Sequence, residues 1–235
     1  MTATDILQEL QAMGNASTKR IFQNHGAPEP LFGVKVGDLK KIVQRVKKDH
    51  ELSLALYDTG NSDAMYLAGL IADEKKISRQ ELQHWAERAP WHITGECTVA
   101  WVAAESPHGW ALGLEWIESD RESIAAAGWA TLSNWVMIHP DNVLDMSKLE
   151  GLLKRVAVTL PEADNRVRYT MNSFIMACGI YIGPLHAQAL AAAGRVGKVK
   201  VNVGNTACKV PDAASYINNA IEKGYWGKKK KMARC

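Results

Sequence analysis

The chain has 235 residues, 47% of them hydrophobic and 23% charged, enough apolar mass for one core-forming domain without disulfide or metal staples. No apolar run reaches the roughly 18 residues that span a bilayer, and the N-terminal MTATDILQEL lacks a basic flank or signal-type stretch, so a soluble, cytoplasmic protein with no membrane role is expected. The net charge of +3 conceals an asymmetry, because residues 195–235 carry +8 and residues 1–194 carry −5.

Along the chain, Val36, Leu39, Val43 and Val46 form a helical stripe from which Lys40, Lys41, Arg45, Lys47 and Lys48 stand off. Ser78, Ser119 and Ser147 are each followed three residues later by Glu81, Glu122 and Glu150, the capping-box spacing in which hydroxyl and carboxylate satisfy free amides at a helix start. After Ser78 the apolar residues Leu82, Trp85, Ala86 and Ala89 keep helical spacing until Pro90. Ser106 and Pro107 read as a cap with proline in the first turn. Leu149, Leu152, Leu153, Val156 and Ala157 make a further stripe that Pro161 stops. The only strand-like alternation is KVKVNV at 198–203, read as an extended arm or one short edge strand. About ten to twelve helices with short connections follow.

Four segments rich in small and apolar residues recur: AMYLAGLIAD at 64–73, TGECTVAWVAAES at 94–106, IAAAGWATLSNW at 124–135 and VRYTMNSFIMACG at 167–179. Each follows a more amphipathic helix, and their starts lie 30, 30 and 43 residues apart. That layout predicts an all-α solenoid of stacked antiparallel helix pairs over residues 1–194, against the alternative of an irregular bundle. Residues 195–235 are read as a basic C-terminal arm with one helix, packed on or extending from the same domain. Trp129 and Trp135 are read as repeat packing rather than base contacts.

The four cysteines, Cys97, Cys178, Cys208 and Cys235, form no CxxC pair, and the seven histidines have no ligand spacing. Reduced thiols, no metal and no cofactor are expected. No phosphate-cradling glycine loop, Ser/His/Asp order, glycosidase carboxylate pair or deaminase signature is present.

FGVKVGDLKKI at 32–42, AMYLAGLIAD at 64–73, and above all GKVKVNVGNTACKVPDA at 197–213 with the terminal GKKKKMARC resemble the DNA alkylation repair family, which includes HEAT-like repeat glycosylases. The resemblance runs over nearly the whole chain and implies a HEAT-like solenoid whose concave basic face holds duplex DNA. In the glycosylase members, cationic N3- or N7-alkylated purines are excised. Such a base leaves readily, so the enzyme mainly stabilises the oxocarbenium-like sugar and positions water, work for one carboxylate beside an aromatic wall.

Active members of the family share a tryptophan followed four residues later by aspartate, an arginine from the next repeat and a second tryptophan from the one after. PWHITGECTVAW at 90–101 keeps Trp91, but four residues on stands Gly95, and the nearest acid is Glu96. On an α-helix Glu96 is rotated away from Trp91 and lies four residues after His92, a spacing that allows a local pair instead, whereas a Trp91 just outside the helix need not obey the helical period. The arginine position falls near Ala126 or Ala127 and the second tryptophan near Ser173. The candidate catalytic set is therefore Glu96, Trp91 and His92, with Asp63 an alternative carboxylate. Candidate phosphate contacts are Lys40, Lys41, Arg45, Lys48, Arg166, Arg168, Lys198, Lys200, Lys209, Lys228, Lys229, Lys230 and Lys231. Three functions follow: a methylpurine glycosylase, a non-catalytic binder of branched or damaged double-stranded DNA, and a HEAT-like protein scaffold. A monomer is expected, associated with the nucleoid if the source is bacterial.

Overall fold

The computed structural model describes residues 1–234. Among these residues thirteen α-helices run in order: α1 (Ala3–Met13), α2 (Ala16–Asn24), α3 (Val36–Val46), α4 (His50–Asp58), α5 (Ser62–Ile71), α6 (Arg79–Arg88), α7 (Ala100–Glu105), α8 (Gly109–Trp116), α9 (Glu122–Ile138), α10 (Met146–Thr159), α11 (Asn165–Tyr181), α12 (His186–Val196) and α13 (Ala213–Glu222). A π-helical turn, Thr94–Val99, leads into α7. Among the described residues there is no strand, and no single helix is long and apolar enough to cross a membrane.

The four small-residue segments become the inner layer: α5, the π turn with α7, α9 and α11 lie side by side. Outer helices cover them, α4 on α5, α8 on α9, and α12 on α11 with α10 behind it. Small side chains let the inner helices approach closely. A Cβ on Gly69 in α5 would stand 2.6 Å from the methyl of Thr98 in the π turn, so only glycine fits that contact. Helix α9 joins two apolar clusters, giving Ile124 and Ala127 to the N-terminal one and Trp129, Leu132 and Val136 to the C-terminal one. Trp129 is fully buried against Phe174, and burying one such side chain stabilises by about 1.5–3 kcal/mol.

Helix punctuation follows the sequence in part. The Ser78–Glu81 capping box is present in both directions, and α6 stops before Pro90. The Ser119 and Ser147 boxes are not formed. Helix α9 is preceded by Arg121, and Glu122 instead accepts the Arg166 N–H at 2.6 Å, so its carboxylate serves the first turn of α11. Helix α10 is capped by Asp145, which accepts the Lys148 N–H, while Glu150 pairs with Lys154. Ser106 lies between helices, its hydroxyl accepting the His108 N–H at 3.2 Å just before α8.

The chain beyond α12 wraps both ends of the inner layer. Residues 197–212 run extended without ladder pairing; Asn165 and Asn202 exchange two hydrogen bonds, and the Asn205 N–H reaches Asn24 O at 3.1 Å. Gly204 makes that approach possible: its φ is +76° and a Cβ would stand 2.5 Å from Asn24 O. The segment thus links the start of α11 to the end of α2. Helix α13 then packs Ile217 against Gly179 of α11.

The last residues return along the opposite end. The Gly227 N–H donates to Ile180 O, the Lys230 N–H to Met137 O, and the Lys229 ammonium to Val136 O at 2.8 Å. Ala233 and Arg234 donate backbone N–H groups to Glu105, and the Arg234 guanidinium reaches Ala72 O at 2.8 Å. The tail therefore meets the C-terminal ends of α11, α9, α7 and α5 in turn, where carbonyls are unpaired and the helix dipole favours cations.

Candidate nucleic-acid interface and the cavity at Trp91

A cavity of about 350 Å³ lies between α2, the segment 31–36, α5 and the stretch from Trp91 to Trp101. Phe22, Tyr66, Trp91 and Trp101 supply aromatic wall. Trp91 sits 6.0 Å from the Phe22 ring and edge-on to His92 at 5.2 Å. Its indole N–H is buried with no hydrogen-bond partner.

Asp63 fixes one wall. The residue is only 3% exposed, and its carboxylate accepts three successive backbone N–H groups, Phe32 at 2.7 Å, Gly33 at 3.0 Å and Val34 at 2.8 Å. Asn61 caps α5 by accepting the N–H groups of Asp63 and Ala64, which holds the carboxylate in register with that loop. Asp63 thus lines the cavity with Trp91, as an anchor whose oxygens are already engaged.

Glu96 points elsewhere. Cys97, rather than Glu96, shares the cavity with Trp91, and Glu96 forms a two-pronged ion pair with Arg166. The guanidinium donates from Nε to Oε1 at 2.7 Å and from Nη2 to Oε2 at 2.5 Å. The side chains are 8% and 18% exposed, and Arg166 also covers the Tyr169 ring at 4.4 Å. Burial pushes the Glu96 carboxyl above its usual range while Arg166 pulls against that shift. Burial likewise opposes the Arg166 charge, but the Glu96 carboxylate outweighs it and holds Arg166 above its ordinary value.

The local His92–Glu96 pair that the spacing allows gives way to this bridge between residues 70 positions apart. The physical reason is the π turn, whose i→i+5 bonding breaks the i, i+4 register that α-helical spacing assumes. His92 is left neutral: burial first, then the charge of Arg166, lowers its pKa to about 4.

The cations divide between the two ends of the inner layer. At the N-terminal end are Arg166, Arg168 and the extended segment, on which Lys198, Lys200 and Lys209 are exposed. Arg168 is half-buried with Nε unpartnered. At the other end, Lys40 and Lys231 line one groove together with Lys48. Several candidates are engaged within the protein: Lys41 with Asp38, Arg45 with Glu9, Lys48 with Glu74, and Lys229 with Asp141. Lys228 and Lys230 are exposed. Arg234, hidden in the sequence by its place in a basic run, has a side chain only 7% exposed and pairs with Glu74 at 2.7 Å and Glu105 at 2.8 Å.

The stacked helix pairs define the class, a HEAT-like helical-repeat protein. A solved structure described as a new family of proteins related to the HEAT-like repeat DNA glycosylases with affinity for branched DNA structures matches 100% of both chains at a TM-score of 0.92 and 34% identity. Residues 6–217 match the family described as DNA alkylation repair enzyme, and the chain belongs to that family. Among its relatives, Lmo0209 of Listeria monocytogenes is 43% identical and Lin0241 of Listeria innocua 41% identical, each over 90% of this chain and 94% of the relative.

Proposed function

We propose that this protein binds double-stranded DNA through phosphate contacts, prefers branched or distorted forms, and leaves the glycosidic bond intact. The observation that carries this reading is that, among the described residues, no free carboxylate stands beside Trp91. Both Glu96 oxygens are held by Arg166, and the Asp63 oxygens are held by three backbone amides. Excision needs a carboxylate able to face a developing positive charge on the sugar, and recruiting either acid would break a buried arrangement. The family resemblance supports the same reading, since it puts the aspartate position at Gly95, the arginine position near Ala126 or Ala127 and the second tryptophan near Ser173.

Binding is ascribed to exposed lysines, chiefly Lys198, Lys200 and Lys209, which displace condensed counterions and position the protein without reading bases. Preference for branched or strained DNA then arises from shape and deformability. The reading places the protein in the cytoplasm, as a monomer on DNA. Its test is release of 3-methyladenine and 7-methylguanine from methylated duplex with protein in excess, alongside Glu96→Gln and with binding checked in the same tube. Bound DNA without release is expected. Release that disappears in Glu96→Gln would make Glu96 a catalytic residue and overturn the proposal.

A further inference from the structure

At the end of the inner layer away from Trp91, the folded-back tail and the end of α3 enclose a groove of about 560 Å³. Its floor is electrically balanced. Lys48 pairs with Glu74, Glu74 with Arg234 and Arg234 with Glu105, two cations against two anions. Its rim is not balanced. Lys40, Lys47 and Lys231 line the groove, are exposed, and have no carboxylate partner among the described residues.

Lys47 adds an independent observation. It ends α3 with φ 61° and ψ −140°, and is the one non-glycine residue with positive φ among those described. Glycine alone takes that backbone region without strain, and strain of this kind gathers at binding sites. The chain therefore keeps a lysine where glycine would be more comfortable, and it keeps it on the rim of a cationic groove. The other wall is built by the tail, because the Lys230 N–H bond to Met137 O and the Arg234 anchor hold Lys231 between them.

We propose that this groove is a second phosphate-binding site, taking the backbone of one DNA arm while the lysines of the extended segment hold another. The inference rests on the DNA-binding reading above. The two sites stand at opposite ends of an inner layer whose helices reach 17 residues, a separation of roughly 25 Å at 1.5 Å per residue. Two arms leaving a branch point can occupy both ends together, whereas a straight duplex lying along one end meets one. Joining two weak contacts in this way raises affinity for a form that reaches both ends over a duplex held across one.

The experiment measures binding of a three-way junction and a linear duplex by the wild type, Lys40→Ala/Lys231→Ala and Lys47→Gly across a salt series. The double variant should lose about tenfold or more of its junction affinity, with the salt slope reduced by about one per lysine and duplex binding unchanged. Lys47→Gly should bind the junction more weakly yet melt about 2–4 °C higher, because the strain is gone. A lysine with a merely structural role would not separate those two readouts. Equal loss on both DNAs, or loss on neither, overturns the second site while leaving DNA binding intact. Wild-type protein without salt-sensitive affinity for either DNA would instead refute the DNA-binding reading, and the second site with it.

Discussion

Replacing Arg166 with methionine strands the Glu96 carboxylate in a site where its side chain is 8% exposed. Removing one partner of a buried ion pair costs about 3–5 kcal/mol, and the 18% exposure of Arg166 places this case near the lower figure, about 3 kcal/mol at neutral pH. For a protein of this size that is a fall in melting temperature of about 6–12 °C. The pH dependence carries a sign. Burial already raises the Glu96 pKa, and Arg166 is what opposes it, so the variant's carboxyl titrates higher still. At intermediate pH the folded variant then binds more protons than folded wild type, and its cost grows as pH rises and shrinks toward acid. Urea midpoints for both proteins between pH 4 and 8 measure this. The double variant Glu96→Leu/Arg166→Met should recover most of the loss, since an apolar pair of similar volume leaves no unpaired charge. A cost below about 1 kcal/mol, or a cost that does not change with pH, would refute the claim that the pair is a buried structural bridge.

Asp63→Asn removes the charge from three backbone hydrogen bonds and should destabilise by about 2–3 kcal/mol, seen as a lower urea midpoint and faster amide exchange at Phe32, Gly33 and Val34. His92, with its pKa lowered to about 4 by burial and Arg166, stays neutral in the fold. Its share of stability is complete above about 6.5 and is lost as pH falls toward 4; NMR titration of its ring checks this, and a midpoint near 6.5 would contradict it. Arg234→Met leaves Glu74 with Lys48 and Glu105 with no cation, so the tail should detach and the melting temperature should fall by at least about 4 °C. Unchanged protease resistance of residues 227–234 would argue against that anchor.

The repeat layout was readable because its physics is local. Ser78, Glu81 and Pro90 bracket α6 within thirteen residues, and the segments at 64–73, 94–106, 124–135 and 167–179 are rich in small and apolar residues because the inner helices bury most of their surface. Trp91 stands out in the sequence through its place in the family pattern, and it lines a cavity in the fold. What escaped depends on distant partners. Glu122 looks like a cap for its own helix and serves α11 instead, 44 residues on. The Glu96–Arg166 bridge spans 70 positions, and nothing near PWHITGEC signals that its turn is π-helical. The terminal lysine run shows charge but not that Lys229 and Arg234 are spent on helix ends and carboxylates. The capping box of Thr2 with Asp5, in contrast, obeys the box logic with aspartate in place of glutamate and was within reach of the sequence.

The most direct test of the account is a salt titration of wild-type binding to a three-way junction and to a linear duplex, both methylated, with free bases quantified in the same samples. Expected are tighter binding to the junction, affinity that falls steeply as salt rises, and no methylpurine released above the protein-free control. Release of 3-methyladenine or 7-methylguanine from the bound DNA would contradict it.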